Sequence, residues 1–157
     1  MSTWYECRVK YEKIDENGKE KRVTEPYLVD AVSFTDAEKR INEEMEPYIS
    51  GEFHVTSIKK ANFAELHPDD SGDRWFKCKI SFVSLDEEKG VEKRTNTYWL
   101  VQSNTVKEAY EKVEELLHDT ISDYEIPQVM ESPIMDVFPF KVEDEIPENL
   151  TPLTEED

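Results

Sequence analysis

Residues 4–11 read WYECRVKY and residues 75–82 read WFKCKISF. A chain that writes nearly the same eight letters twice is limited to architectures in which one unit is built two times. The match extends well beyond those letters. At an offset of about 71 residues, Trp4, Cys7 and Tyr11 fall on Trp75, Cys78 and Phe82. YLVDA (27–31) falls on WLVQS (99–103) after one inserted residue, and FHVTSI (53–58) falls on YEIPQV (124–129). ANFAEL (61–66) then falls on SPIMDV (132–137). The register drifts by one residue and recovers, as it does when insertions sit in loops.

Each half carries the same local signals. WYECRVKYEK alternates, with Tyr5, Cys7, Val9 and Tyr11 on one face, which predicts a half-buried strand. Asn17-Gly18 marks a hairpin turn, because both residues tolerate positive φ. The return strand contains Pro26, which has no N–H and belongs at an edge or a bulge. A helix follows, capped by Ser33 or Thr35, with Ala37, Ile41, Met45 and Tyr48 on one stripe. EFHVTSIKKANFAEL is expected to close the unit as a third strand. The second half repeats the plan, with a helix capped by Thr105 and a last strand YEIPQVMESPIMDVF.

The expected fold is therefore α+β, a tandem ββαβ repeat (about 4–66 and 75–137). One helix covers only one face of a three-stranded sheet, so the halves are expected to form one pseudo-twofold-symmetric globule with antiparallel sheets and two helices. The division is 1–66 for the first repeat, 67–73 (HPDDSGD) for a connecting hinge, 74–140 for the second repeat and 141–157 for a flexible acidic tail. That tail, KVEDEIPENLTPLTEED, holds seven acids, one Lys and two prolines.

Charge restricts the partners. Lys plus Arg number 19 against 37 Asp plus Glu, a formal charge of −18. A field of that sign repels bare nucleic acid and anionic membrane and favours basic partners or cations. No basic stretch followed by an apolar run opens the chain, and no apolar run approaches the roughly 20 residues that span a bilayer. A cytoplasmic location is the expectation.

Cys7 and Cys78 suit either a redox or metal pair or two small core residues. They share their face with aromatic and aliphatic residues and with no base, which favours the core. The opposite face of the same strands carries Trp4, Arg8 and Lys10 in one half, and Trp75, Lys77 and Lys79 in the other. A Trp followed by cations at period 2 suits a nucleotide-like anionic ligand. It equally suits tryptophans sealing an interface while Lys and Arg pair with the abundant Glu.

His54, His67 and His118 lack ligand spacing, and HPDDSGD departs from the calcium-loop pattern. No catalytic residue, metal ligand or cofactor is assigned. Helix carboxylates Glu43, Glu44 and Glu46, and Glu108, Glu111, Glu114 and Glu115, form acidic faces, with Glu108 placed to pair with Lys112. Such rows imitate a phosphate backbone or are simply solvated.

The combination WYECRVKYEK, VTEPYLVDAVSFTDAE, EEMEPYISGEF, IKKANFAEL, GDRWFKCKISF and PIMDVFPF, in that order, resembles an uncharacterised domain-of-unknown-function family of small acidic proteins from gut anaerobic bacteria and their phages. The resemblance covers about residues 4–140. It implies a bacterial or phage context and carries over no site residue. The function expected is a non-enzymatic binding or interaction protein, an inhibitor or sequestering protein acting through an acidic face or a symmetric sheet surface. A protein partner, and a homodimer, are expected. The alternative is a small-molecule module for a nucleotide or other anion at the Trp/Arg/Lys face.

Overall fold

The computed structural model describes residues 3–139. The segment 141–157, expected to be a flexible tail, lies outside the described residues. The elements run β1 (Thr3–Ile14), β2 (Glu20–Ala31), α1 (Phe34–Met45), β3 (Phe53–Lys60), β4 (Glu65–His67), β5 (Arg74–Asp86), β6 (Val91–Ser103), α2 (Val106–Leu116), β7 (Asp123–Ser132) and β8 (Asp136–Phe138). This is an α+β architecture with two helices and two mostly antiparallel four-stranded sheets, ordered β3-β1-β2-β8 and β4-β6-β5-β7. Two compact units result. One holds the described residues up to Ala61 and from Asp136 on, and the other holds Asn62–Met135.

The hairpins close alike. The Asp15 carboxylate accepts from the N–H groups of Asn17 and Lys19, and the Asp86 carboxylate accepts from those of Glu88 and Lys89. Gly18 (φ 80°) and Gly90 (φ 66°) supply the left-handed residue in each loop. Asn17, expected to share that conformation, does not, because the Asp15 side chain turns the chain without it.

Each helix starts where a hydroxyl satisfies an orphan donor. Ser33 Oγ accepts from Asp36 N at 3.0 Å, and Thr105 Oγ1 accepts from Glu108 N at 3.1 Å. Such caps contribute about 1 kcal/mol each. Every helix then lays one apolar stripe on its own sheet. Ala37, Ile41 and Met45 meet Tyr5, Cys7, Val9, Val29 and Ala31. Ala109, Val113 and Leu117 meet Phe76, Cys78, Ile80, Trp99 and Val101. The alternation expected for β1 and β5 is therefore the observed one, and both cysteines are buried core residues.

The third strands differ from expectation. Neither 52–66 nor the run from Tyr124 to Phe138 is a single strand. β3 ends at Lys60 and β7 at Ser132, and the remainder of each segment becomes a separate three-residue strand, β4 or β8. β4 pairs in parallel with β6 (Leu66↔Leu100), and β8 pairs in parallel with β2 (Leu28↔Val137). Each sheet thus receives its fourth strand from the other repeat. The β1–β3 ladder ends on the bond from Ala61 N to Trp4 O at 2.8 Å, one pair beyond Tyr5↔Lys60. After β7, Pro133 has no N–H with which to extend a ladder. HPDDSGD, expected as the hinge between halves, instead joins β4 to β5 inside the second unit.

Both prolines of the ladders sit where a missing donor does least harm. Pro26 on β2 stands outside the three residues that pair with β8. Pro127 falls at the register shift of β7 opposite Lys79/Ser81.

Candidate functional site

The outward face of β1 places Trp4, Arg8 and Lys10 in a row, but their surroundings differ. Trp4 is half-buried. The Arg8 Nε donates to Glu6 Oε2 at 3.3 Å along the same strand. Lys10 stands opposite His54 on β3. In the second unit, Trp75 is only 3% exposed, so its ring is a packing group with no free face for a ligand. Lys77 Nζ lies 4.8 Å from the Tyr98 ring centre and 5.9 Å from that of Phe63, a cation held over two aromatic faces. Lys79 is half-buried, opposite Tyr98 on β6. The two Trp/cation rows are therefore alike in sequence and unlike in environment.

Lys10 alone among these six residues lines a cavity of about 770 Å³ in the first unit, formed with Arg22, Tyr48, Gly51, Glu52 and His54. Its origin is topological. β1 and β2 run on to Ile14 and Glu20, whereas β3 stops at Phe53 opposite Tyr11. The loop after α1 hangs beside the uncovered end of the hairpin. Sequence reasoning missed this cavity, because Arg22, Tyr48 and His54 meet only once the strand register is known.

A second cluster lies on the helix side of the same sheet. Glu25 Oε1 accepts from Tyr11 Oη at 2.7 Å and from Tyr27 Oη at 3.1 Å, and Lys13 Nζ stands 3.6 Å from Oε2. The Glu25 side chain is 13% exposed, so the two phenols and the ammonium replace its lost water. Burial and the Glu25 carboxylate push the Tyr11 hydroxyl up to about 12 and raise Tyr27 further. The Tyr27 ring stacks on Phe138 with centres 6.0 Å apart. One sequence signal for this cluster exists: an acid at 25 in step with the apolar positions 27, 29 and 31.

Of the acids of HPDDSGD, Asp69 is committed within the second unit. Asp69 Oδ2 accepts from Lys112 Nζ at 2.9 Å, and Oδ1 accepts from Ser71 Oγ at 2.7 Å. These bonds hold the Asp69 carboxyl well below the usual carboxylate range. Gln102 ties the loop twice, accepting from Asp69 N and donating to Gly72 O. Lys112 thus serves Asp69 and the Gln102 carbonyl, in place of the helical pairing with Glu108 that its spacing suggested.

Burial pushes the Cys78 thiol up to about 12, and burial together with the Glu6 charge does the same to Cys7. Neither is a thiolate at neutral pH, so neither is poised as a nucleophile. The solvent side of α2 exposes Val106, Tyr110 and Leu116 among Glu108, Glu111, Glu114 and Glu115, with no base in the last turn.

Residues 3–140 match the model of a protein family described as a domain of unknown function, DUF4494. The chain belongs to this family. A search of the curated proteins finds no match. The DUF4494 match spans all eight strands and both helices, so cavity, acidic helix face and clamped loop all lie inside the family domain. Among the described residues, no three or more His, Cys, Asp or Glu side chains are grouped to hold a metal ion, and no helix is long and apolar enough to cross a membrane.

Proposed function

We propose that this DUF4494 chain is a non-enzymatic binding protein that engages a basic protein partner through an acidic surface. The observation that carries this reading is the outer side of α2. There Val106, Tyr110 and Leu116 stay solvent-exposed within a field of four glutamates. Apolar and aromatic groups set among four carboxylates, with Lys107 the one exposed base on the helix, make a mainly acidic surface that selects a partner of opposite charge and anchors it by desolvation. The formal charge of −18 extends that attraction beyond the contact itself. The matched strand registers of the two units support an internal duplication. The resemblance described above supports a role in the bacterial cytoplasm, as a bacterial or phage-borne protein that inhibits or sequesters a host component.

The test uses a variant carrying Glu108→Gln, Glu111→Gln, Glu114→Gln and Glu115→Gln. These positions are exposed, so the fold is expected to persist. The wild-type chain should retain a discrete basic protein from bacterial lysate that rising salt releases and that the variant fails to hold. Identical captures by both chains overturn the reading.

A second reading, a module for a nucleotide or other anion, draws support from Lys10, Arg22 and His54 around one cavity. Thermal stabilisation by adenosine monophosphate that disappears in Lys10→Ala would favour it.

A further inference from the structure

We infer that the notch beside the free end of β1 is a strand-addition site that takes an extended, basic segment of a partner protein. The inference rests on the protein-partner reading above and adds, to the contact on α2, a second one in the first unit. Three observations converge on it.

The first is an open edge. β1 continues for three residues, Glu12, Lys13 and Ile14, past the last pair of its ladder with β3, Tyr11↔Phe53. A strand edge with no neighbour presents backbone N–H and C=O groups to an incoming chain, and an extended peptide that pairs with them continues the sheet. The other free edge of this hairpin, the stretch of β2 before its pairing with β8, ends in Pro26, which offers no N–H.

The second is room at that edge. The cavity of about 770 Å³ lies along Lys10 to Ile14 and is bounded across the gap by the loop from Tyr48 to Glu52. A Cβ built on Gly51 meets nothing within 4 Å, so the loop wall stands clear. Ile14 and Tyr48 line the cavity at 68% and 76% exposure, two apolar groups for alternate side chains of a bound strand.

The third is charge. Glu12, Glu20 and Glu52 all line the cavity. Arg22 stands 3.8 Å from Glu12, which leaves Glu20 and Glu52 as the other carboxylates of the lining, while Lys10 and His54 face each other across the start of the β1–β3 ladder. A segment that alternates Lys or Arg with apolar residues matches this arrangement, with cations toward Glu20 and Glu52 and apolar groups on Ile14 and Tyr48.

The experiment selects from a random nine-residue peptide display library on the immobilised full-length chain. The enriched peptides are then titrated against wild type, Gly51→Trp and the double variant Glu20→Lys/Glu52→Lys. Gly51→Trp fills the gap from a position with open space around it, and the charge reversals are exposed, so melting curves should stay at wild type. The expected result is enrichment of alternating basic and apolar sequences, with affinity weakened at least about tenfold by each variant. Amide shifts should be concentrated at residues 12–14 and 48–54. Were Gly51→Trp to unfold, the charge reversal decides alone.

The inference is overturned by three outcomes. One is the absence of any enriched family, another is binding indifferent to both variants, and the third is displacement of the peptide by adenosine monophosphate or inorganic phosphate seated on Lys10 and His54. If the α2 glutamine variant loses its partner while Gly51→Trp keeps it, the protein-partner reading stands and the strand-addition site falls.

Discussion

The two units share a ladder and differ in what they bury. Tyr27 and Trp99 occupy the same place, opposite Cys7 and Cys78 respectively, and each meets a ring from the short parallel strand beside it, Phe138 or His67. At the position opposite Val9 the first unit buries Glu25, and opposite Ile80 the second has Thr97. Trp75 is buried where Trp4 is half-exposed. The difference teaches that hairpin, capped helix and edge strand need only a pattern of apolar positions, whereas the polar and aromatic residues set into that pattern are free to diverge. Each unit has used that freedom differently: one holds a carboxylate between phenols, the other clamps a loop with a lysine.

The largest effect should come from the tryptophans. Removing a fully buried aromatic side chain costs about 3–5 kcal/mol. Trp75→Ala should fall in that range by urea denaturation, and Trp4→Ala should cost less than about half as much. Equal costs would break the comparison, because they would mean that the two rings do the same work despite their different exposure.

Glycine gives the next contrast. A Cβ on Gly72 would sit 2.6 Å from the Cα and N atoms of Ser103, backbone atoms that cannot step aside as a side chain tip would. Gly72→Ala should therefore cost toward the top of the roughly 1–3 kcal/mol typical of overpacking. Gly51→Ala, in open space, should stay within about 0.5 kcal/mol of wild type. A tolerated Gly72→Ala would show that the loop is less firmly seated than the Asp69, Gln102 and Lys112 bonds imply.

Below these stands the Glu25 cluster. Glu25→Ala leaves two phenols without their acceptor and should cost about 1–2 kcal/mol. Thr97→Ala in the second unit should change the stability read from urea denaturation by less than about 0.5 kcal/mol. Should the two substitutions prove equal, Glu25 is a surface acid in effect and the contrast between the units weakens.

The sequence made the strands, turns, caps and core faces legible because each follows from residues within a few positions of one another. Tyr5, Cys7 and Val9 announce a face by period alone, and Ser33 and Thr105 announce helix starts by a hydroxyl three residues before an acid. What stayed hidden depends on pairs distant in the chain. Nothing local says that Leu66 will lie beside Leu100, that Val137 will lie beside Leu28, or that Lys112 will choose Asp69 over Glu108. The candidate site suffered most. Lys10 was legible as a cation on an outward face, but its neighbours His54 and Tyr48 come from a strand and a loop more than thirty residues away, and only the early end of β3 makes the notch.

The smallest effects at neutral pH become visible at its extremes, and there the units should part in opposite directions. In the first unit Cys7 and Tyr11 are held at about 12, above their ordinary values near 9 and 10. The fold favours their neutral forms. That contribution is complete below about pH 9 and is lost as the pH rises toward 12, when the unfolded chain releases protons that the folded chain retains. In the second unit Asp69 and Glu125 are lowered, by Lys112 with Ser71 and by Arg94 respectively, so the fold favours their charged forms. Their contribution is complete above the ordinary carboxylate range and is lost as the pH falls through and below it. Cys78 and Tyr110 share the alkaline sensitivity, so the contrast rests on the two phenols around Glu25 in the first unit against one in the second, and on the added carboxylates of the second. Amide hydrogen exchange followed residue by residue should show β1 and β2 opening first in alkali, and the 67–73 loop with the start of β5 opening first in acid. Asp69→Asn should remove the Asp69 share of the acid arm and leave that of Glu125, making the loop exchange at neutral pH as the wild type does at low pH. Simultaneous opening of both units at both extremes would mean that they unfold as one cooperative body, in which the stability of either unit is set by the sum of these groups and not by its own.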